Sequence, residues 1–337
     1  RAARAGHALA LQPELMRFTV DAITGLAFGH DVRSLEGDDD VIQRHLDQIF
    51  PALFRRIIAP LPTWRWWPGA ADRALARSVA AVDEAIAGFI AQARQRLHDE
   101  PSRRERPPNL LEAMLVAAST PGAEVDDGDV KGNVLNMLLA GEDTTANTLA
   151  WMLHLLVRHP PLLQRAQDEV RAVAGAAPEV TLEQLDALRF VEACMHETMR
   201  LKPVAPFNVL QALRETVVGD VRVAPGTLVW CVLRHDSLQP RHFVAPDEFR
   251  PQRWLEGDGA PAAAAASAKR VAMPFGAGPR ICPGRYLAML EMKLVMATLL
   301  GSFDIVSLTA PGGAEAAERM AFTMAPVGLE MRLRERA

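Results

Sequence analysis

The stretch MPFGAGPRICPGRYLAMLEMK, Met273 to Lys293, places one of the chain's three cysteines among glycines, prolines and arginines, directly ahead of an amphipathic run. Gly276 and Gly278 invite a dinucleotide-binding reading. Its third glycine would fall on Ile281, and no strong strand precedes the loop, so that reading fails. A lone cysteine packed as a small hydrophobe is the plain alternative. The neighbours of Cys282 argue for more: Gly278 and Gly284 flank it, Pro283 follows it, and Arg280 stands two residues before it. Glycine permits a tight loop with close backbone approach to a flat partner. The helix predicted just beyond offers free N–H groups and positive potential, which stabilise a thiolate. The stretch reads as a holder for an anionic sulfur against something large and flat.

Spaced as Phe275-x-x-Gly278-x-Arg280-x-Cys282-x-Gly284, the stretch resembles the haem-ligand loop of the cytochrome P450 family at every position of that pattern. The resemblance implies that Cys282 is the axial ligand to the iron of haem b (iron protoporphyrin IX). It also implies that Arg280 pairs with a haem propionate, that Phe275 shields the sulfur, and that Gly278 and Gly284 let the loop lie against the porphyrin. Thiolate ligation pushes electron density onto iron and favours O–O cleavage.

Upstream, HETMRLKP sets Glu197 and Arg200 three apart on one helical face. An exposed pair of this kind contributes well under ~1 kcal/mol. Glu197, however, lies in line with Phe190, Cys194 and Leu201 on an apolar stripe, where a carboxylate must be paired. The segment resembles the family's Glu-x-x-Arg element, which is joined there by an arginine from a later segment. Here that segment is FRPQRW and the arginine is Arg253. The implied role of the three is structural, holding the core under the haem loop.

Further upstream, LLAGEDTTANTL interrupts an apolar helix predicted from Val130 to Val157, roughly 28 residues and ~42 Å long. Threonines can bond back to carbonyls one turn earlier, and acids can face a water pocket. The segment also resembles the family's oxygen-activating element, matched at Ala140, Gly141, Asp143, Thr144 and Thr145. By that resemblance Asp143 and Thr144 relay protons during dioxygen cleavage, and Gly141 opens the helix for dioxygen.

The remaining chemistry-bearing residues suggest less. His154, His159, His196 and His235 share no metal spacing and read as surface or capping residues. Lys269, Arg270, Arg285 and Lys293 flank the cysteine loop and are expected either to be solvated or to form a docking face for an acidic electron donor.

Composition bounds the rest. The 337 residues are 49% apolar and 23% charged with a net charge of −4, which describes a globular chain and argues against a nucleic-acid binder. Three distant cysteines without Cys-x-x-Cys spacing oppose a disulfide scaffold, a structural zinc and an iron–sulfur cluster, and fit a reducing cytoplasm. No run of ~18 apolar residues occurs, so no membrane anchor is seen. The opening RAARAGHALA faintly resembles a transit peptide, but Pro13 and Glu14 lead straight into patterned sequence and favour a helix start. Abundant alanine and arginine point to a high-GC bacterial source.

Along the chain, ELMRFTVDAITGLAFG reads as a helix ending at Gly29, and DRALARSVAAVDEAIAGFIAQARQRL as a second, ended by a polar linker. TLEQLDAL opens with a capping box, Thr181 with Gln184. TVVGDVRVAPGTLVWCVL alternates as strands around the turn pairs Gly219-Asp220 and Pro225-Gly226, residues 257–269 form a low-complexity loop, and AFTMAPVGLEMRLR reads as a strand-like tail. The expected fold is mainly α (α+β), a large helical body with a small mixed or antiparallel sheet. It forms one domain, helix-rich over 1–202, sheet and loop over 203–270, haem-ligand loop and helix over 271–301, and strands over 302–334. The resemblance runs from about Phe18 to the C-terminus, and implies that the family's first helices and early sheet should precede Arg1.

The implied reaction is monooxygenation, with one atom of O2 entering a lipophilic substrate suited to the long apolar helix and to LKPVAPFNV. No flavin or iron–sulfur signature occurs in these residues, so the resemblance implies that electrons come from a separate protein, a ferredoxin or flavoprotein reductase, or from a segment outside residues 1–337. A peroxide-using or isomerising haem-thiolate enzyme and an inactive haem-free scaffold remain as alternatives.

Overall fold

Helix dominates wherever apolar residues recur every three or four positions. The computed structural model describes residues 2–35, 41–175, 180–255, 268–313, 315–321 and 323–336. Residues 257–267 of the predicted low-complexity loop lie outside the described residues. The chain divides into two compact units.

The first unit comprises Ala10–Ala146 with a short piece near residue 320. Its helices are α1 (Leu11–Phe28), α2 (Val41–Ile58), α3 (Ala70–Asp99), α4 (Leu110–Ala118) and the first part of α5 (Asp127–Arg158). Helix α1 stops at Gly29, whose φ of 64° lets His30 N–H bond back to the Thr24 carbonyl. Apolar stripes from these helices meet in one core that includes Val20, Ile23, Phe28, Leu46, Ile86, Leu111, Val134 and Leu138. Asn109 caps α4 by accepting from Glu112 N–H at 2.9 Å. The Glu112 carboxylate is fully buried, yet it accepts from Arg96 Nε at 2.7 Å, Asn109 Nδ2 at 3.0 Å and Arg103 Nη1 at 3.2 Å. Burial pushes its pKa up, but these donors outweigh burial and hold it below the usual carboxylate range.

The second unit holds the remainder of the chain. Its helices include α6 (Pro160–Ala174), α7 (Arg189–Leu201) and α8 (Arg285–Ser302). The predicted capping box is present, with Thr181 and Gln184 exchanging hydrogen bonds at 3.3 and 2.9 Å. Strands β1 (Asn208–Gln211) and β4 (Leu228–Cys231) pair antiparallel, while β2 (Thr216–Val218) and β3 (Val221–Val223) form a hairpin about Gly219-Asp220. Strands β5 (Phe303–Thr309) and β6 (Glu330–Glu335) also pair antiparallel, with Asp304 opposite Arg334 and an irregularity between Ile305 and Ser307. The expected mainly helical fold with small antiparallel sheets is what forms. Helix α5 spans 32 residues, slightly longer than predicted. Among the described residues no helix is long and apolar enough to cross a membrane.

Candidate functional site

Helix α7 buries its whole polar pair. Glu197 and Arg200 have fully buried side chains and meet twice, Arg200 Nη2 to Oε1 and Nε to Oε2, both at 2.8 Å. Two charges removed from water are tolerated only when their remaining donors and acceptors are filled. Here Glu197 Oε1 also accepts from Arg253 Nε and from Arg250 N–H, each at 2.9 Å, and Oε2 accepts from Trp254 Nε1 at 2.8 Å. Arg200 spends its other protons on the carbonyls of Ser237, Pro246 and Glu248. The Phe243 ring lies under both guanidinium groups, 4.8 Å from Arg200 and 5.7 Å from Arg253. Thus Glu197, Arg200 and Arg253 come together, and the pair is core rather than surface. Trp254 and the three carbonyls had no periodic signal; only the position of Trp254 next to Arg253 in FRPQRW hinted at its part.

In the same unit, the loop before α8 carries Cys282. Cys282 N–H donates to the Phe275 carbonyl at 2.9 Å, closing the loop, and Gly276 and Gly278 take φ of 72° and 70°. Cys282 is a free, half-buried thiol, and Gly284 lies close enough that a Cβ there would sit 3.8 Å from Sγ. Helix α8 begins at the next residue without a side-chain cap, so its first N–H groups are open at the cysteine end. Arg280 is exposed, with no ion-pair partner among the described residues. Phe275 is half-buried, and its backbone is what the structure joins to Cys282. This donor set suits a single anionic sulfur ligand to a flat, acid-bearing cofactor. Among the described residues no cluster of three or more His, Cys, Asp or Glu is placed to hold a bare metal ion.

Lys293 corrects one expectation. It does not stand on a docking face: its side chain is 8% exposed and pairs with Glu192 of α7 at 2.7 Å. Glu192 also faces His196 at 3.7 Å, and the His196 ring stacks on Trp254 at 5.1 Å. His196 at 3.7 Å and Lys293 at 2.7 Å together hold the Glu192 pKa at about 2 against the opposing effect of burial. His196 therefore belongs to the packing of α7, and His154, also expected at the surface, is buried beside Glu315 at 3.4 Å. Burial lowers the His154 pKa. Arg285 lies over the Tyr286 ring and donates to its hydroxyl at 2.8 Å.

The acidic element lies in the first unit. Helix α5 runs unbroken through Gly141, and the hydrogen there has a packing reason: a Cβ would run into Ile23 Cδ1. Thr19 of α1 donates to the Glu142 carbonyl at 2.8 Å, binding the two helices at the same level. Asp143 is buried, and the Thr144 hydroxyl donates to the Ala140 carbonyl at 2.8 Å, one turn earlier.

Comparison with known proteins bears on the whole chain. The profile of the family described as Cytochrome P450 matches residues 1–331. LUTEIN DEFICIENT 5, a chloroplastic protein of Arabidopsis thaliana, is 26% identical over 314 residues, covering 90% of this chain and 51% of that protein. Cytochrome P450 monooxygenase ABA2 of Pyricularia oryzae (strain Y34) is 35% identical over 191 residues, covering 55% of this chain and 46% of that protein. The chain thus spans about half the length of these relatives. Among solved structures, a mutant heme domain of cytochrome P450DA aligns with a TM-score of 0.79 at 26% identity, covering 98% of this chain and 69% of that one. With the cysteine loop and the buried Glu-Arg-Arg cluster already in place, the match over residues 1–331 places this chain in the cytochrome P450 family.

Proposed function

We propose that this chain is the haem-bearing part of a monooxygenase that inserts one atom of O2 into a lipophilic organic substrate. Residues 1–337 are read as one family domain, a reading supported by the match over residues 1–331. When bound, haem b supplies the iron at which dioxygen is reduced and split, and a thiolate ligand strengthens that chemistry. The observation that carries the reading is Cys282: a free, half-buried sulfur in a closed loop at an uncapped helix start.

In this reading Cys282 gives the thiolate, and the open N–H groups of α8 hold its negative charge. Arg280, exposed and without an ion-pair partner among the described residues, binds a propionate. Phe275 fixes the loop through its carbonyl and screens the sulfur, while Gly278 and Gly284 keep the surface flat. Glu197, Arg200 and Arg253 position the segment before the loop and touch no reactant. Asp143 and Thr144 move protons, a role that rests on their motif. The Thr144 hydroxyl must then leave the Ala140 carbonyl to donate elsewhere. Electrons come from a separate ferredoxin or flavoprotein reductase.

The test is the absorption spectrum of the reduced, carbon monoxide-bound protein, with Cys282→Ser beside it. A band characteristic of thiolate ligation, lost in the serine variant, supports the proposal. A colourless protein despite haem supply, or nitrogen ligation in both proteins, overturns it. Turnover driven by peroxide with no donor, at a rate no reductase improves, removes the reductase from the scheme.

A further inference from the structure

A surface cavity of about 630 Å³ in the second unit takes no part in the chemistry above. Arg171, in the last turn of α6, lines it together with Asp304 of β5, Arg334 and Glu335 of β6, and Arg336 just beyond. Alternation along the strand puts Arg334 and Arg336 on one face, and the antiparallel ladder sets Asp304 directly opposite Arg334.

The carboxylates around this cavity are already engaged. Asp304 Oδ1 accepts from Arg336 Nε at 2.7 Å and Nη2 at 2.6 Å, and Oδ2 accepts from Arg334 Nη2 at 3.0 Å. Glu335 Oε1 accepts from Arg4 Nε at 2.8 Å. Asp168 stands 3.7 Å from Arg171 and accepts instead from Gln164 Nε2 at 2.7 Å. Donors are left over. Among the described residues the Arg171 guanidinium makes no hydrogen bond, and Arg334 commits only Nη2. Arg336 is the fixed member: its side chain is 18% exposed, Asp304 grips it, and its N–H donates to the Ser302 carbonyl at 3.1 Å.

Three guanidinium groups on one cavity repel each other unless an anion lies among them. One guanidinium fork fills the acceptors of a lone carboxylate, whereas a tetrahedral oxyanion offers oxygens in several directions at once. We propose that this cavity binds a phosphate group. Arg171 and Arg334 donate to its oxygens from α6 and β6, and Arg336 adds a fixed positive charge. Asp304 orients the two strand arginines and, through its own charge, limits the affinity. The cavity is far larger than one phosphate, which leaves room for the organic body of a phosphomonoester.

The test is titration calorimetry on the whole chain at constant ionic strength in chloride. One arm uses inorganic phosphate and the other adenosine monophosphate, with adenosine as the control that lacks the phosphate. Saturable binding of a phosphate-bearing probe is expected. Tighter binding of the nucleotide assigns the site to a phosphomonoester, and tighter binding of inorganic phosphate assigns it to the free anion. Arg171→Ala/Arg334→Ala should weaken binding at least about tenfold. Asp304→Asn removes the competing charge and should tighten binding by about threefold or more. Far-UV circular dichroism checks that both variants fold, and the unaltered chain is informative without either. Binding of neither probe, adenosine binding as well as its monophosphate, or undiminished binding after the double substitution would each overturn the proposal.

Discussion

Glu197 shows how much one carboxylate can organise. Arg200, Arg253, Trp254 and the amide of Arg250 all donate to it, and the bonds from Arg200 and Trp254 are fully buried. Glu197→Gln keeps the shape but turns one acceptor into a donor facing donors, and leaves a buried guanidinium without its counter-charge. A loss of roughly 3–5 kcal/mol is expected in chemical denaturation. A loss under ~1 kcal/mol would show that the cluster is not holding this unit together. Trp254→Phe removes only one bond to the charge and should cost about 1.5–3 kcal/mol. The Glu197–Arg200 pair was legible because two residues three apart on an apolar stripe must satisfy each other. Arg253 was reached through the family resemblance. The carbonyls of Ser237, Pro246 and Glu248 were illegible, since irregular backbone leaves no period to read.

At the scale of elements, the meeting of α1 and α5 is set by a missing methyl. Gly141→Ala gains helix propensity worth ~1 kcal/mol but drives its Cβ into Ile23 Cδ1, a side chain itself held in the core. Ile23→Val alone should cost about 0.5–1.5 kcal/mol through lost packing. Together the changes should be less harmful than their sum by roughly 1 kcal/mol, because valine lacks the clashing atom. Strict additivity in a double-mutant cycle would mean that the helices separate instead. Helices α1, α3 and α5 were readable from periodicity and from the stop at Gly29. Helix α2 carries Pro51 in its interior, which masks the pattern. Lys293 was misread for a physical reason. A lysine in a helix reads as solvated unless a partner such as Glu192 makes burial tolerable.

For the molecule as a whole, acid is the revealing stress. Glu192 and Glu318 both have pKa values of about 2 against an ordinary 4.5. The first is held there chiefly by His196 with Lys293, the second chiefly by Arg234 with Lys202. Folded-state values below the unfolded ones mean that their stabilisation is complete above about pH 4.5 and disappears as pH falls towards 2. Unfolding midpoints should therefore drop across that window, and Glu192→Gln should start lower at neutral pH and drop less. An unchanged pH slope in the variant would remove Glu192 from the explanation. The contrast among the three thiols has a practical use. Cys194 is buried, and desolvation raises its pKa well above that of a free thiol, so alkylating reagents should pass it by, whereas Cys231 and Cys282 are half-buried. With Cys231 changed to serine, a single maleimide fluorophore would mark Cys282. Its rate of attachment, with and without added porphyrin, then becomes a stopwatch for occupancy that requires no turnover at all.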